Sequence, residues 1–313
     1  MKPLPLAVVG SVNIDLILGP AEPWPVPGTE IIVDHDEWRV GGAAGNTALA
    51  LTGLGLPHTL ATNVGSDHLG EWLRRTFGHG ADGWTVTPGA TTITVGITHP
   101  NGERTFFTSR GHLPKVTWQD MRGQLDGARL EGGIVLFCNP FLMGAFEPEY
   151  EAFFDWAEDH RIRMALDTGW PPSGWTDEAS DNARRWISRS HCVLLNEVEA
   201  TTLSGLDDPE QAARALHALM PLGAVMVVKL GPQGALAIDA SGAVHRTAAP
   251  KVDVIDTIGA GDVFNAGFLG GLSHGLDVAT ALEIGCRVAS TAVSTLPRRY
   301  GDLNFESMMR EFQ

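Results

Sequence analysis

The sequence predicts an α/β fold: a doubly wound, mainly parallel sheet flanked by helices, with a small β-sheet lid. Three observations lead there. Short runs of branched apolar residues, "GIVLFCN", "IRMALD", "CVLLN" and "AVMVVKLG", alternate with helical patterns such as "YEAFFDWAEDH" and "PEQAARALHALM". Strands buried on both faces read as such unbroken runs, which is the signature of a parallel sheet between helical layers. One stretch departs from this: "TTITVGITH" alternates, with Ile93, Val95 and Ile97 on one face and Thr92, Thr94 and Thr98 on the other, so it predicts a half-exposed strand standing off the main sheet. Finally, 313 residues with 43% hydrophobic content are enough to bury a large core.

The elements follow in order. "PLAVVGSVNID" opens with an apolar strand at Leu6–Val9 that ends in glycine and polar residues, and "GNTALALTGLG" supplies a helix between Gly45 and Gly55. "HTLATNVG" reads as a strand. "SDHLGEWLRRTFG" reads as a helix with Leu69, Trp72, Leu73 and Phe77 on one face, Ser66 or Asp67 as its cap and Gly78 as its stop. "TEIIVDHDEWRVGG", residues 29–42, looks extended but carries too many charges for a central strand. Together with the alternating stretch, which turns at Asn101-Gly102 into a second strand-like run, it forms the lid, expected over about residues 14–40 and 91–111. No Ser/Gly-rich or charged tract separates the lid from the rest, so the whole chain, 1–313, is expected to be one domain.

Charge and composition exclude several partners. A formal net charge of −15 disfavours binding to nucleic acid or to an anionic membrane, so an anionic ligand needs a local device to hold it. No segment has the apolar length of a membrane span, the N-terminal apolar run is too short for a signal sequence, and the three cysteines have no metal-ligand spacing. A cytoplasmic protein is expected. Eleven histidines without H-x-x-H or H-E-x-x-H spacing argue against zinc.

The local device is "DTIGAGDVF", residues 256–264, followed by the helix-like "NAGFLGGLSHG". Gly259, Ala260 and Gly261 thus stand at a helix N-terminus, where backbone N–H groups lack intrahelical acceptors and small residues admit a phosphate; Asp262 falls in the first turn. Earlier in the chain, Gly41 and Gly42 precede a helix with Asn46 in its first turn, which brings backbone and an amide against a polyhydroxylated ligand.

In order, the chain carries "GSVNID", the Gly-Gly-to-Asn turn, "NEVE" at 196–199, "VKLGPQGA" at 228–235 and "DTIGAGDVFNAGF". This series resembles the PfkB or ribokinase-like family of carbohydrate and nucleoside kinases, over about residues 6–295. The resemblance implies transfer of the γ-phosphoryl group of ATP to a substrate hydroxyl. It implies Asp262 as the base, the amides of Gly259, Ala260 and Gly261 as the anion hole, and Asn13, Asp15, Gly41, Gly42 and Asn46 as the sugar pocket, with Arg104 and Asn139 beside it. It places Asn196, Lys229, Gly231 and Gly234 on the nucleotide side, Glu199 near Mg2+ through water, and K+ beside Asp256, although "LPRRYG" stands where the family shows a short glycine turn. A homodimer through the lid is also implied. Ala43 and Ala44 replace a lysine common in this turn, so ribose is not assumed. An uncharged sugar is the expected substrate, with a nucleoside or a sugar phosphate, gripped by Arg39, Arg104 or Arg110, as the alternative. A non-catalytic sugar-binding regulator is disfavoured because the acid and the glycines are intact, and a dehydrogenase because G-x-G-x-x-G is missing after the first strand.

Overall fold

The computed structural model describes residues 2–100, 103–296 and 305–311; the turn expected at Asn101-Gly102 and all of "LPRRYG" beyond Leu296 lie outside the described residues. The strands, in chain order, are β1 (Leu6–Gly10), β2 (Asn13–Gly19), β3 (His35–Gly41), β4 (Thr59–Ala61), β5 (Asn63–Gly65), β6 (Thr85–Thr87), β7 (Ile93–Thr98), β8 (Arg104–Thr108), β9 (Ile134–Cys138), β10 (Arg163–Asp167), β11 (Cys192–Asn196), β12 (Val225–Lys229), β13 (Ala235–Ile238) and β14 (Val244–Thr247). Eight of them form the main sheet in the order β14-β13-β12-β11-β10-β9-β1-β4, and four form the small sheet in the order β3-β2-β7-β8.

The main sheet is parallel from β4 through β12 and then turns antiparallel into β13 and β14. Its apolar runs serve two cores at once, because successive side chains leave a strand on opposite faces. In β9, Ile134, Leu136 and Cys138 join the cluster that includes Ala44, Ala48, Phe264 and Phe268, while Val135 and Phe137 join the aromatic cluster of Phe146, Tyr150 and Phe153 on the other side. The antiparallel end was not evident in sequence. Its turn is made by Asp239, whose Oδ1 accepts from the N–H groups of Ser241 and Ala243 at 2.8 and 3.1 Å.

Two boundaries differ from expectation. The first helix spans Ala43–Gly53 with Gly42 as its cap, so Gly45 lies inside it, where a Cβ would press to 3.0 Å against Val40. The extended stretch at 29–42 contributes only β3, His35–Gly41, because the residues before it are exposed and make no ladder. The helix after "HTLATNVG" is His68–Phe77, capped by Asp67, whose side chain accepts from the Gly70 N–H, and stopped at Gly78.

Near the C-terminal end, helices Ala260–Ser273 and Val278–Val293 pack through glycines. A Cβ on Gly267 would stand 3.1 Å from Gly285 Cα, one on Gly271 3.0 Å from Ala281, and one on Gly285 2.8 Å from the Phe264 ring. The helix axes approach closely as a result. No described helix is long and apolar enough to cross a membrane.

Candidate active site

Strand order reverses around β1, which has β4 on one side and β9 on the other. Crevices at such switch points, beyond the carboxyl ends of the strands, are where open α/β sheets bind ligands. Gly10, Cys138 and Asp167 end β1, β9 and β10 in register. The chain leaves β1 and within three residues starts β2, so Asn13 and Asp15 are delivered to the crevice by the first strand of the small sheet.

Asn13 and Asp15 are both buried. The Asn13 amide donates to Asp15 Oδ1 at 2.9 Å and to Thr94 Oγ1 at 3.2 Å. Opposite Asn13 in the ladder is Gly41, where a Cβ would meet Asp15 Oδ1 at 2.0 Å. Only glycine leaves room for that carboxylate. Gly42 follows with φ of 82° and caps the helix that carries Asn46.

The Asn46 amide crosses to Asp262, donating to Oδ2 at 2.9 Å, and Thr47 Oγ1 donates to the Asp262 main-chain carbonyl at 3.2 Å. The two helix N-termini therefore converge on one carboxylate. Gly259 precedes the helix in the left-handed region (φ 73°). The Ala260 N–H already donates to Thr257 O at 3.1 Å, whereas those of Gly261 and Asp262 have no acceptor one turn back. Burial at the cleft floor pushes the Asp262 carboxyl up to about 7; the charges of Asp167 and Asp15 add to this, against the Asn46 hydrogen bond and the Lys229 charge. A group poised there holds or accepts a proton near neutral pH.

Behind the turn lies an ionic network. Lys229, the last residue of β12, donates through Nζ to Asp167 Oδ2 at 2.7 Å and to Asn265 Oδ1 at 3.2 Å, and Asn265 Nδ2 donates to the same Asp167 oxygen at 2.6 Å. Burial works against the Lys229 charge, yet Asp167 and Glu199 hold its pKa above the usual lysine value. The ammonium stands 3.3 Å from where a Gly261 Cβ would be, directly beneath the glycine turn. Asn196 and Glu199 form a reciprocal cap: Glu199 Oε2 accepts from the Asn196 N–H at 2.9 Å and Asn196 Oδ1 from the Glu199 N–H at 2.8 Å. Burial, then the Asp167 charge, pushes the Glu199 carboxyl up to about 7.

Other residues singled out from sequence are arranged around this centre. Gly231, Gly234 and Lys229 line a mostly apolar cavity of about 360 Å³ with Ala260, Gly261, Phe264 and Val293. Asn139 begins the turn after β9 in the left-handed conformation, with Oδ1 buried against Gly169 and without a hydrogen-bond partner. Ser11 Oγ and Thr168 Oγ1 are likewise buried and unpaired, one residue beyond the row of Gly10, Cys138 and Asp167. Asp256 accepts from the Ile258 N–H at 2.9 Å through Oδ1; its Oδ2 is 2.5 Å from Arg39 Nη1, and Arg104 Nη2 is 3.7 Å from Oδ1.

Asp167 and Asn265 carry much of this network without a role assigned from sequence, and Arg39, expected as a possible grip on a sugar phosphate, instead pairs with Asp256. Asp167 has a signal of the same kind as Asn13 and Asn139, a polar residue closing an apolar strand. Asn265 sits three positions after Asp262, hence on the same helical face. The Arg39–Asp256 pair joins residues 217 positions apart and has no local signature.

Comparison with known proteins agrees with this architecture. The chain is 27% identical to mouse ketohexokinase over 295 residues, covering 92% of this chain and 96% of that one. It is 25% identical to the cytidine kinase of Thermococcus kodakarensis over 303 residues, covering 96% and 98%. Among solved structures, Arabidopsis thaliana ribokinase, determined with ribose and ATP, superposes with a TM-score of 0.79 at 21% identity over 99% of this chain and 98% of that one. The model of the pfkB family of carbohydrate kinases matches residues 5–297. With that match spanning the small sheet, the crevice and the late glycine turn alike, the chain belongs to the pfkB carbohydrate kinase family.

Proposed function

We propose that this protein transfers the γ-phosphoryl group of ATP to a hydroxyl of a small, uncharged sugar. The observation that carries the reading is the convergence on Asp262: a carboxyl on the first turn of a helix, held by Asn46 from the sugar side and bordered on the other side by the cavity at Gly261. Bound ATP and Mg2+ would supply the activated phosphoryl group and part of its charge neutralisation. Asp15 and Asn13 hold sugar hydroxyls in a buried setting, which favours a ligand that returns every hydrogen bond. Asp262 accepts the proton of the attacking hydroxyl. The amide of Gly261, with that of Gly259 and the positive end of the helix, receives negative charge as it develops, and Lys229 beneath the turn adds its own.

The cavity suits a nucleotide: Gly231 and Gly234 bring backbone to its edge and apolar side chains form its wall. For Mg2+, Glu199 is tied by Oε2 to its cap. That fits an ion held by phosphates and water, with Glu199 at one remove. An uncharged sugar is preferred over a sugar phosphate because Arg39 and Arg104 both face Asp256, and Arg39 also lies 3.7 Å from Glu37. The test is ADP release measured against a panel of sugars, nucleosides and sugar phosphates, with the Asp262→Asn variant alongside. Turnover with a neutral sugar, falling by about 10²-fold or more in the variant, is expected. ATP turnover with none of the panel, or a variant of wild-type rate, would overturn the reading.

A further inference from the structure

Asp256 is the residue at which a monovalent cation was expected, and its surroundings do not fit one. Its carboxylate lies between the Ile258 N–H and two guanidinium groups, with Arg39 Nη1 at 2.5 Å from Oδ2 and Arg104 Nη2 at 3.7 Å from Oδ1. Both arginines come from the small sheet, Arg39 from β3 and Arg104 from β8. Arg39 stands directly opposite Asp15 in the β2–β3 ladder, so its side chain leaves the sheet on the same face as the sugar-side carboxylate. It is mostly buried, with its side chain 14% exposed, and its Nη2 has no hydrogen-bond partner among the described residues.

We propose that Arg39 is a positioning residue that takes the place of a monovalent cation, delivering its charge to Asp256 only when the small sheet is seated. This rests on the phosphotransfer reading given above. The physical reason is local. Asp256 opens the turn that leads through Thr257 and Ile258 to Gly259 and Gly261, whose amides, on the reading above, receive the phosphoryl charge. A bare carboxylate there opposes the charge the turn must receive and pulls its Ile258 contact toward solvent. Neutralised by Arg39, it fixes the turn and ceases to repel. A diffusible cation would have to be captured from solution and would leave when the sheet lifts. A guanidinium tethered to β3 arrives with the sheet, so closing over the sugar and completing the anion hole become one event.

The test uses Arg39→Met, Arg39→Lys, Asp256→Asn and the double variant Arg39→Met/Asp256→Asn in the full chain. Kinetics are measured on the best sugar of the panel with K+, Na+ or tetramethylammonium as the only monovalent cation. Wild-type turnover is expected to be the same, within about twofold, in all three salts. In Arg39→Met, kcat should fall by about 10- to 100-fold while the KM of the sugar moves far less, about the scale for removing one partner of a partly buried, hydrogen-bonded charge pair. K+ or added guanidinium ion should recover part of that loss. The double variant should turn over several-fold faster than Arg39→Met alone, because the charge that needed neutralising has gone.

Amide hydrogen exchange supplies a readout independent of turnover. Arg39→Met should speed exchange both in β3 and at residues 257–261, and Arg39→Lys should speed it less. The inference is overturned by a wild-type enzyme that requires K+, by an Arg39→Met enzyme within twofold of wild-type kcat, or by additive losses in the double variant. Faster exchange confined to β3 would also overturn it, leaving Arg39 a strand residue. If Asp262→Asn retains full turnover, the phosphotransfer reading fails by itself, and exchange still decides whether the sheet and the turn are coupled.

Discussion

The proton-accepting role proposed for Asp262 predicts a specific pH limb. With the carboxyl at about 7 in the ligand-free protein, about one molecule in eleven is ionised at pH 6 and about ten in eleven at pH 8. The kcat/KM for the sugar should therefore rise about tenfold between those values and fall tenfold per unit below them. Substitutions around the carboxyl should move the limb in opposite directions. Asn46→Leu removes a donor that favours the ionised form, so the limb moves to higher pH. Asp167→Asn removes a negative neighbour while Lys229 stays, so the limb moves to lower pH. The assay is kcat/KM at sub-saturating sugar from pH 5 to 9 in constant-ionic-strength buffer, with melting curves to confirm that each variant is folded. A flat profile across that range, or shifts of the wrong sign in both variants, would refute the assignment of the proton acceptor.

Two further predictions follow from the same geometry. Lys229→Met should destabilise the protein by about 3–5 kcal/mol in urea unfolding, because it leaves Asp167 buried and without its countercharge, and Lys229→Met/Asp167→Leu should recover part of that loss. The expected homodimer rests on the outward face of the small sheet, where Trp38, Leu16, Val95 and Phe107 lie in one row across the four strands and Trp38 and Phe107 are 50% and 55% exposed. Light scattering at micromolar concentration should give twice the mass of the 33.4 kDa chain, and Trp38→Glu should halve it; a wild-type monomer would contradict the proposal.

Most of the fold could be read from the chain because its strands announce themselves. β9 to β12 are unbroken apolar runs, and β7 alternates, which separates the main sheet from the small one. The antiparallel β13–β14 end was missed because "ALAIDASGAVHRT" is short and is held by one aspartate's hydrogen bonds rather than by a recognisable Asn-Gly turn. In the site, residues that sit at turns were visible, since glycines and capping polar groups have local signatures: Gly41, Gly42, Asn46 and Asp262 come together as their motifs suggested. Lys229 was read toward the nucleotide, and it lines that cavity, but its ammonium is bound to Asp167 and Asn265. In sequence Arg39 is one of three lid arginines and Asp167 a polar residue ending an apolar strand, and neither shows its partner, because a charge pair between distant segments depends on register that only the folded sheets define.

The glycine contacts between the two late helices set how this enzyme can tolerate change. Gly267 lies on the helix that begins with the Asp262 turn, and Gly285 faces it from the next helix, where a methyl group would press within 3.1 Å of the facing backbone from Gly267 and within 2.8 Å of the Phe264 ring from Gly285. A larger residue at either position pushes the two helices apart, and the N-terminal end of the first is where Asp262, the proposed proton acceptor, is mounted. Such a replacement would register in kinetics as a damaged catalytic centre although it lies at a distance from any ligand. The small sheet carries its own close contact at Gly41, but the exposed side chains of β3 and β8, Trp38, Phe106 and Phe107, are free of it and are the positions more open to change.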